Sequence, residues 1–287
     1  MENIMLTVGI PIILAWVMFC VGLSLQVADF KHAVNFPGKI IAGLLAQLVG
    51  LPIIAFLLIQ CFSLPQPVAA GLWLLALAPG GASSNAITHL CRGDSALSIS
   101  MTAFSSLIVP FSIPVLLPIV MPDTVLNMPL KTAVLQLMAV TILPVVLAML
   151  IKHYFSSQIM QRFYAIAERS SLWALCLMVA ITVIANGNKM TELFSIAALA
   201  VLVLCLLAML LGILTAKIIH GDKQLSKTFA IEVGIQNAGT AIFVAVVLLQ
   251  KPELALTPLL YGVLMNIPAA LLVFMSKNSH VNQRQAN

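Results

Sequence analysis

Nine apolar runs, each long enough to cross a bilayer as a helix, leave this chain few ways to fold. They lie at about 5–27, 38–60, 67–91, 95–120, 129–152, 162–186, 191–218, 224–250 and 253–276. A helix rising about 1.5 Å per residue needs roughly 20 apolar residues to cross a hydrocarbon core of about 30 Å. No water is available there to satisfy backbone N–H and C=O groups, so runs of this length must form helices. The breaks between them are short and carry turn formers: Asn35-Phe36-Pro37-Gly38, residues 63–67, Arg92-Gly93-Asp94, Met121-Pro122-Asp123, Asn186-Gly187-Asn188, His220-Gly221-Asp222 and Lys251-Pro252. Only 8% of the residues are charged, against roughly 25% in soluble domains. No stretch is polar enough for a separate soluble domain. The expectation is an all-α polytopic membrane protein, one membrane domain over residues 1–287 with a tail at 277–287. The first run is too long for a signal-peptide core and no small-residue cleavage site follows it, so it reads as a retained helix. No transit peptide or lipidation motif is visible.

The net charge of +5 is a topology signal rather than a nucleic-acid one, because the basic residues are scattered over the loops and build no basic face. With the N-terminus outside, the inner loops hold Lys31, Lys39, Arg92, Lys152, Arg162, Lys217, Lys223, Lys227, Lys277 and Arg284, with Arg169 near the inner end of the sixth run. The outer loops hold Lys131, Lys189 and Lys251. Basic residues favour the cytoplasmic side, so the N-terminus is expected outside and the C-terminus in the cytoplasm. The odd set Cys20, Cys61, Cys91, Cys176 and Cys205 lacks metal-ligand spacing. The histidines sit mostly in or near loops, and no zinc, phosphate-loop, haem or nucleophile–base pattern is present.

Two runs are broken at mid-depth. The third carries Ala78-Pro79-Gly80-Gly81-Ala82-Ser83-Ser84-Asn85, and the eighth carries Glu232-Val233-Gly234-Ile235-Gln236-Asn237-Ala238-Gly239-Thr240. Five positions apart in order, these runs cross the membrane in opposite directions. That layout predicts inverted repeats, about 5–120 and 129–276, whose discontinuous helices meet near the midplane. Run five is left without a counterpart in this scheme. Such breaks are tolerated in a bilayer where protein or a water-filled cavity satisfies them. Ser83 and Ser84 are suited to cap the half-helix that follows.

Glu232 has no Lys or Arg near it in its own segment. A carboxylate at the bilayer centre costs about 3 kcal/mol even on lenient scales, so a proton, a cation or a basic group must offset it. Neutral oxygen donors are at hand in Ser84, Asn85 and Thr88. Ser98 and Thr102, four apart, share a helix face and can point at the first break. Their bland alternative is bonding to their own helix carbonyls. Gln47, alone in an apolar run, and Asn266, before the kink at Pro268, read equally as interhelical glue or as cavity residues. Asp94, beside Arg92, reads as a surface residue of a cytoplasmic turn.

Pro79-Gly80-Gly81 with Ser84-Asn85, followed by Gly93-Asp94, Leu97-Ser98 and Thr102, closely resembles the first signature of the bile acid:sodium symporter family. Glu232, Gly234 and Gln236-Asn237 resemble its second. The resemblance covers roughly residues 5–276. It implies a mobile core domain carrying the crossed helices and a flatter panel domain, in a variety that lacks the first helix of ten-helix relatives. It also implies two sodium sites. The first is formed by Ser84, Asn85, Ser98, Thr102 and Glu232. The second is formed by Gln47, Glu232, Gln236 and main-chain carbonyls near Val233 and Ile235. Asn237 and Asn266 fall at substrate-binding positions, while Ala82 offers the crossover no side-chain hydrogen bond.

Two Na⁺ and one carboxylate leave a local charge of +1, so the adjoining cavity should take an anion. The expectation is a sodium-coupled symporter of a small organic anion (bile-acid-like, pantoate-like or keto-acid) in a bacterial inner membrane, working by alternating access. It is expected not to be an enzyme and to use no organic cofactor, nucleic acid or obligatory protein partner. The alternatives are a proton-coupled transporter with Glu232 as protonation site, and an intramembrane enzyme, which would need a second acid, His or Cys beside Glu232.

Overall fold

The computed structural model describes residues 5–26, 29, 36–122, 129–155 and 190–285, with isolated positions between 160 and 181. Every element in it is helical. Six stretches are long and apolar enough to cross a membrane: Thr7–Ser24, Pro37–Phe62, Ser95–Val120, Leu130–Tyr154, Ser195–Ile218 and Pro252–Ser276. Two further crossings are broken in the middle, as the sequence predicts. The first consists of α3 (Gln66–Ala76) and α4 (Ala82–Leu90), and the second of α8 (Lys223–Gly234) and α9 (Ala238–Leu248). About half of the run at 162–186 lies outside the described residues, so among the described residues eight of the nine expected crossings can be followed. The remaining helices are α1 (Ile10–Ser24), α2 (Pro37–Phe62), α5 (Ser95–Val120), α6 (Leu130–Tyr154), α7 (Met190–Ile218), α10 (Leu256–Leu264) and α11 (Asn266–Gln285).

Local chemistry sets most boundaries. Asp94 accepts a hydrogen bond from Leu97 N at 3.0 Å and caps α5; Asp222 accepts one from Leu225 N at 2.8 Å and caps α8. The backbone N–H of Asp94 also donates to Thr228 Oγ1 at 2.7 Å. Asp94 is therefore a cap that ties α5 to α8, more than a surface group. Within α2, Pro52 has no N–H to offer the preceding turn. The hydrogen bonds slip there to π spacing over Ala46–Gly50, with Leu51 N bonding Ala46 O. Such π turns re-aim side chains, and this one carries Gln47, fully buried in the protein interior.

Two groups of close helix contacts rest on glycines. In one, α1 lies against the second half of α6. A Cβ added to Gly22 would sit 2.5 Å from the Val145 carbonyl oxygen. Lys152 Nζ donates to the Leu23 carbonyl, and Cys20 Sγ to that of Ala167 at 3.1 Å. In the other group, a Cβ on Gly212 of α7 would sit 2.2 Å from the Phe229 carbonyl oxygen of α8. Only a glycine lets these two backbones approach so closely in a membrane, where small residues replace the hydrophobic effect as the means of helix association. Many large apolar side chains, including Ile12, Phe56, Ile119 and Phe274, remain exposed on the outer surface, as a lipid-facing protein requires.

Candidate functional site

The site forms where the two broken crossings meet. Between α3 and α4 the chain is extended at Gly81, and between α8 and α9 it is extended at Ile235. The two extended pieces pair antiparallel, Pro79 against Gln236, and Asn237 N donates to the Ala78 carbonyl at 3.0 Å. Backbone groups that two unbroken helices would have satisfied internally are thus satisfied across the crossing. Gly80 makes the turn possible. Its φ of +75° is left-handed, and an added Cβ would lie 2.4 Å from Ser105 Oγ. The expected serine caps are not formed. Gly81 occupies the N-cap of α4, and Ser84, inside the first turn, donates to the Gly81 carbonyl at 2.8 Å. For α9 a side-chain cap does exist, with Asn237 Oδ1 accepting from Thr240 N at 3.0 Å.

Glu232 lies at 0% exposure in the last turn of α8. Ser98 Oγ donates to its Oε1 at 2.5 Å and Thr102 Oγ1 to its Oε2 at 3.2 Å. The same two hydroxyls contact Asn85 Oδ1, at 2.8 and 3.3 Å. Ser84 Oγ stands 3.5 Å from Thr102 Oγ1. All five residues expected at the first ion site are therefore together, drawn from α4, α5 and α8. Each hydroxyl carries one hydrogen. The five oxygen–oxygen contacts share only those of Ser98 and Thr102, because the Ser84 hydrogen is directed to Gly81. With Asn85 presenting Oδ1 inward, its Nδ2 is buried and unpaired among the described residues. The cluster is rich in oxygen and poor in hydrogen.

The residues expected at the second site also converge. Gln47 Nε2 donates to the Glu232 carbonyl at 2.6 Å, and Gln236 Nε2 to the adjacent Val233 carbonyl at 2.5 Å. Both amide oxygens, Gln47 Oε1 and Gln236 Oε1, are buried with no hydrogen-bond partner among the described residues. Tyr261 and Cys205, which sequence reasoning passed over, hold the break by donating to the Gly234 carbonyl at 2.7 and 3.4 Å. Nothing in the spacing of residues 205, 234 and 261 announces that contact.

Beside the crossing lies a cavity of about 640 Å³. The crossing contributes Gly81, Ser83, Asn85 and Asn237 to its wall, and α1 contributes Val17 and Val21. It extends to Ser24, His89 and Ser95, near the ends of α1, α4 and the start of α5. Asn237 is thus on the cavity wall. Asn266 is not: it is exposed, and its Nδ2 donates back to the carbonyls of Gly262 and Val263 at 2.9 and 3.0 Å. Met265 lines the cavity in its place. His89 was not singled out from sequence, although its position four residues after Asn85 puts it on the same helix face.

Comparison with known proteins agrees with this architecture. A family model described as the Sodium Bile acid symporter family matches residues 11–193. An "Uncharacterized sodium-dependent transporter YocS" of Bacillus subtilis is 31% identical over 280 residues, covering 96% of this chain and 85% of that protein. A "Probable sodium/metabolite cotransporter BASS1, chloroplastic" of Arabidopsis thaliana is 27% identical over 228 residues, 79% of this chain and 56% of the relative. The human "Sodium/bile acid cotransporter 4" is 28% identical over 275 residues, 91% of this chain and 61% of the relative. The chain therefore spans a little over half of the plant and human proteins and most of the bacterial one. The match over residues 11–193 and the bacterial relative along nearly the whole chain show that this protein belongs to the Sodium Bile acid symporter family, and that it is a multi-pass membrane transporter of the sodium-coupled kind and not an enzyme.

Proposed function

We propose that the protein couples two sodium ions to the movement of a small organic anion. The observation that carries this reading is the oxygen-rich cluster around the fully buried Glu232. One Na⁺ is assigned to Ser84, Asn85, Ser98, Thr102 and Glu232. A second is assigned to Gln47, Gln236, Glu232 and the carbonyls near Val233 and Ile235, where two buried amide oxygens have no hydrogen-bond donor among the described residues. A cation suits these groups better than a proton does, because one proton added to Glu232 would supply one hydrogen where several oxygens crowd together. The first site draws on both broken crossings and α5, and the second on α2 and the second broken crossing, so ion binding would draw α2, α4, α5 and α8 together and set the shape of the cavity wall.

The anion is assigned to the cavity between the crossing and α1, with Asn237 among its contacts. Two Na⁺ next to one carboxylate leave the crossing with a net positive charge, and charges attract more strongly where water is scarce. The group containing α1 and α6 acts as the panel and the group carrying the crossings as the core, and their relative movement opens the cavity to one side and then the other. The proposed setting is a bacterial inner membrane with the C-terminus cytoplasmic. The test is uptake of a panel of ¹⁴C-labelled organic acids into proteoliposomes under a Na⁺ or a K⁺ gradient, for wild type and Glu232→Gln. Sodium-dependent accumulation lost in Glu232→Gln is expected. Accumulation driven equally by either cation in both proteins would sink the sodium reading.

A further inference from the structure

We propose that His89 reads a second polar group on the transported anion and so sets its specificity; this rests on the symport reading above. His89 and Asn85 share one face of α4, four residues apart, and both line the cavity. At about 1.5 Å per residue their positions differ by about 6 Å along the helix axis. Among the described residues lining the cavity, His89 is the one basic side chain, and it is exposed. The rest of the wall at this end competes less: Val17 and Val21 are apolar, the Cys20 thiol and the Ser24 hydroxyl are already directed to the Ala167 and Val21 carbonyls, and Ser95 offers a neutral hydroxyl. An anion held by one end at the crossing therefore runs along the Asn85–His89 face, with the imidazole as the strong hydrogen-bonding group at its far end. The solute this arrangement selects is a carboxylate with a hydroxyl or second carboxylate about 6 Å away, rather than a simple monocarboxylate.

His89 also stands in the last turn of α4, where a basic group can favour the helix C-terminus. That role would alter stability and leave solute discrimination untouched. The experiment compares hexanoate, 6-hydroxyhexanoate and adipate as substrates of the reconstituted transporter under a Na⁺ gradient, in wild type, His89→Ala and His89→Gln. Wild type should show a KM about tenfold lower for at least one bifunctional acid than for hexanoate, the size of a charge-assisted hydrogen bond. His89→Ala should shrink the difference to less than about twofold without moving the Na⁺ half-saturation, and His89→Gln should retain part of it. No preference in wild type, or an equal change for all three acids in His89→Ala, overturns the proposal. Loss of sodium dependence across the broader acid panel in wild type would instead remove the symport reading on which it stands.

Discussion

Glu232 concentrates the energetics of the protein in one side chain. A buried carboxylate with hydroxyls as its neighbours is costly unless a positive charge arrives, and the free energy of that arrival can be used to shape the crossing. Under the proposed function, Glu232→Gln should lower sodium-dependent uptake by about 100-fold or more, while Ser98→Ala or Thr102→Ala should raise the Na⁺ half-saturation by about tenfold. Saturating Na⁺ should restore most of the uptake of the two hydroxyl variants. Varying pH around neutrality at constant Na⁺ should leave wild-type uptake of a simple monocarboxylate level, whereas the proton-coupled alternative requires it to follow the pH gradient. Gly80 makes a separate residue-scale test. Gly80→Ala forces a left-handed φ on alanine, at about 1–2 kcal/mol, and drives a Cβ to 2.4 Å from Ser105 Oγ. It should melt several degrees lower in detergent, and Ser105→Gly should recover only the part due to the clash.

At the scale of elements, two devices place the ligands. The π turn at Ala46–Gly50 sets Gln47 against the Glu232 carbonyl, and the glycine contact of Gly212 with the Phe229 backbone presses α7 onto α8. Gly212→Ala should separate these helices, costing about 1–3 kcal/mol by overpacking. Thermal unfolding should show the loss, and uptake should fall with it because Glu232 lies one turn beyond Phe229. Gly38→Ala is the control: an added Cβ there meets nothing within 4 Å, so stability should hold or rise slightly, since alanine favours the helix by about 1 kcal/mol. The element limits were largely legible in the sequence. The apolar run at 38–60 became Pro37–Phe62 and that at 95–120 became Ser95–Val120, because length and hydropathy decide a crossing. The serine caps of α4 were misjudged, because backbone pairing across the crossing starts that helix at Gly81 before either serine is reached.

Under the proposed function, the cavity between the crossing and α1 takes part in a conformational cycle at the scale of the whole molecule. In the structure the cavity extends to Ser24 and Ser95, beside the connections that follow α1 and α4. Cysteines placed at these two positions, with exposed Cys61 and Cys176 replaced by serine, should react with a membrane-impermeant thiol reagent from one face only. The charge distribution expects that face to be cytoplasmic. Na⁺ with a transported acid should change the labelling rate; a rate indifferent to both would count against movement of the core on the panel.

The order of apolar runs and the two polar interruptions determined by themselves that this protein is a helical membrane protein with paired broken crossings. The bilayer enforces those choices locally, since each segment must satisfy its own backbone groups. The oxygen donors around Glu232 were also named in advance, because polar residues at mid-depth in apolar runs are conspicuous. Only the tertiary structure decided which of them face the cavity. Asn266 turns its amide back onto the last turn of the preceding helix, α10, while His89 and Ser24 stand on the cavity wall. Tyr261 and Cys205 meet at the Gly234 carbonyl. Helical spacing assigns a side chain to a face, but the rotation of each helix against its neighbours, set by packing over the whole fold, decides what that face meets.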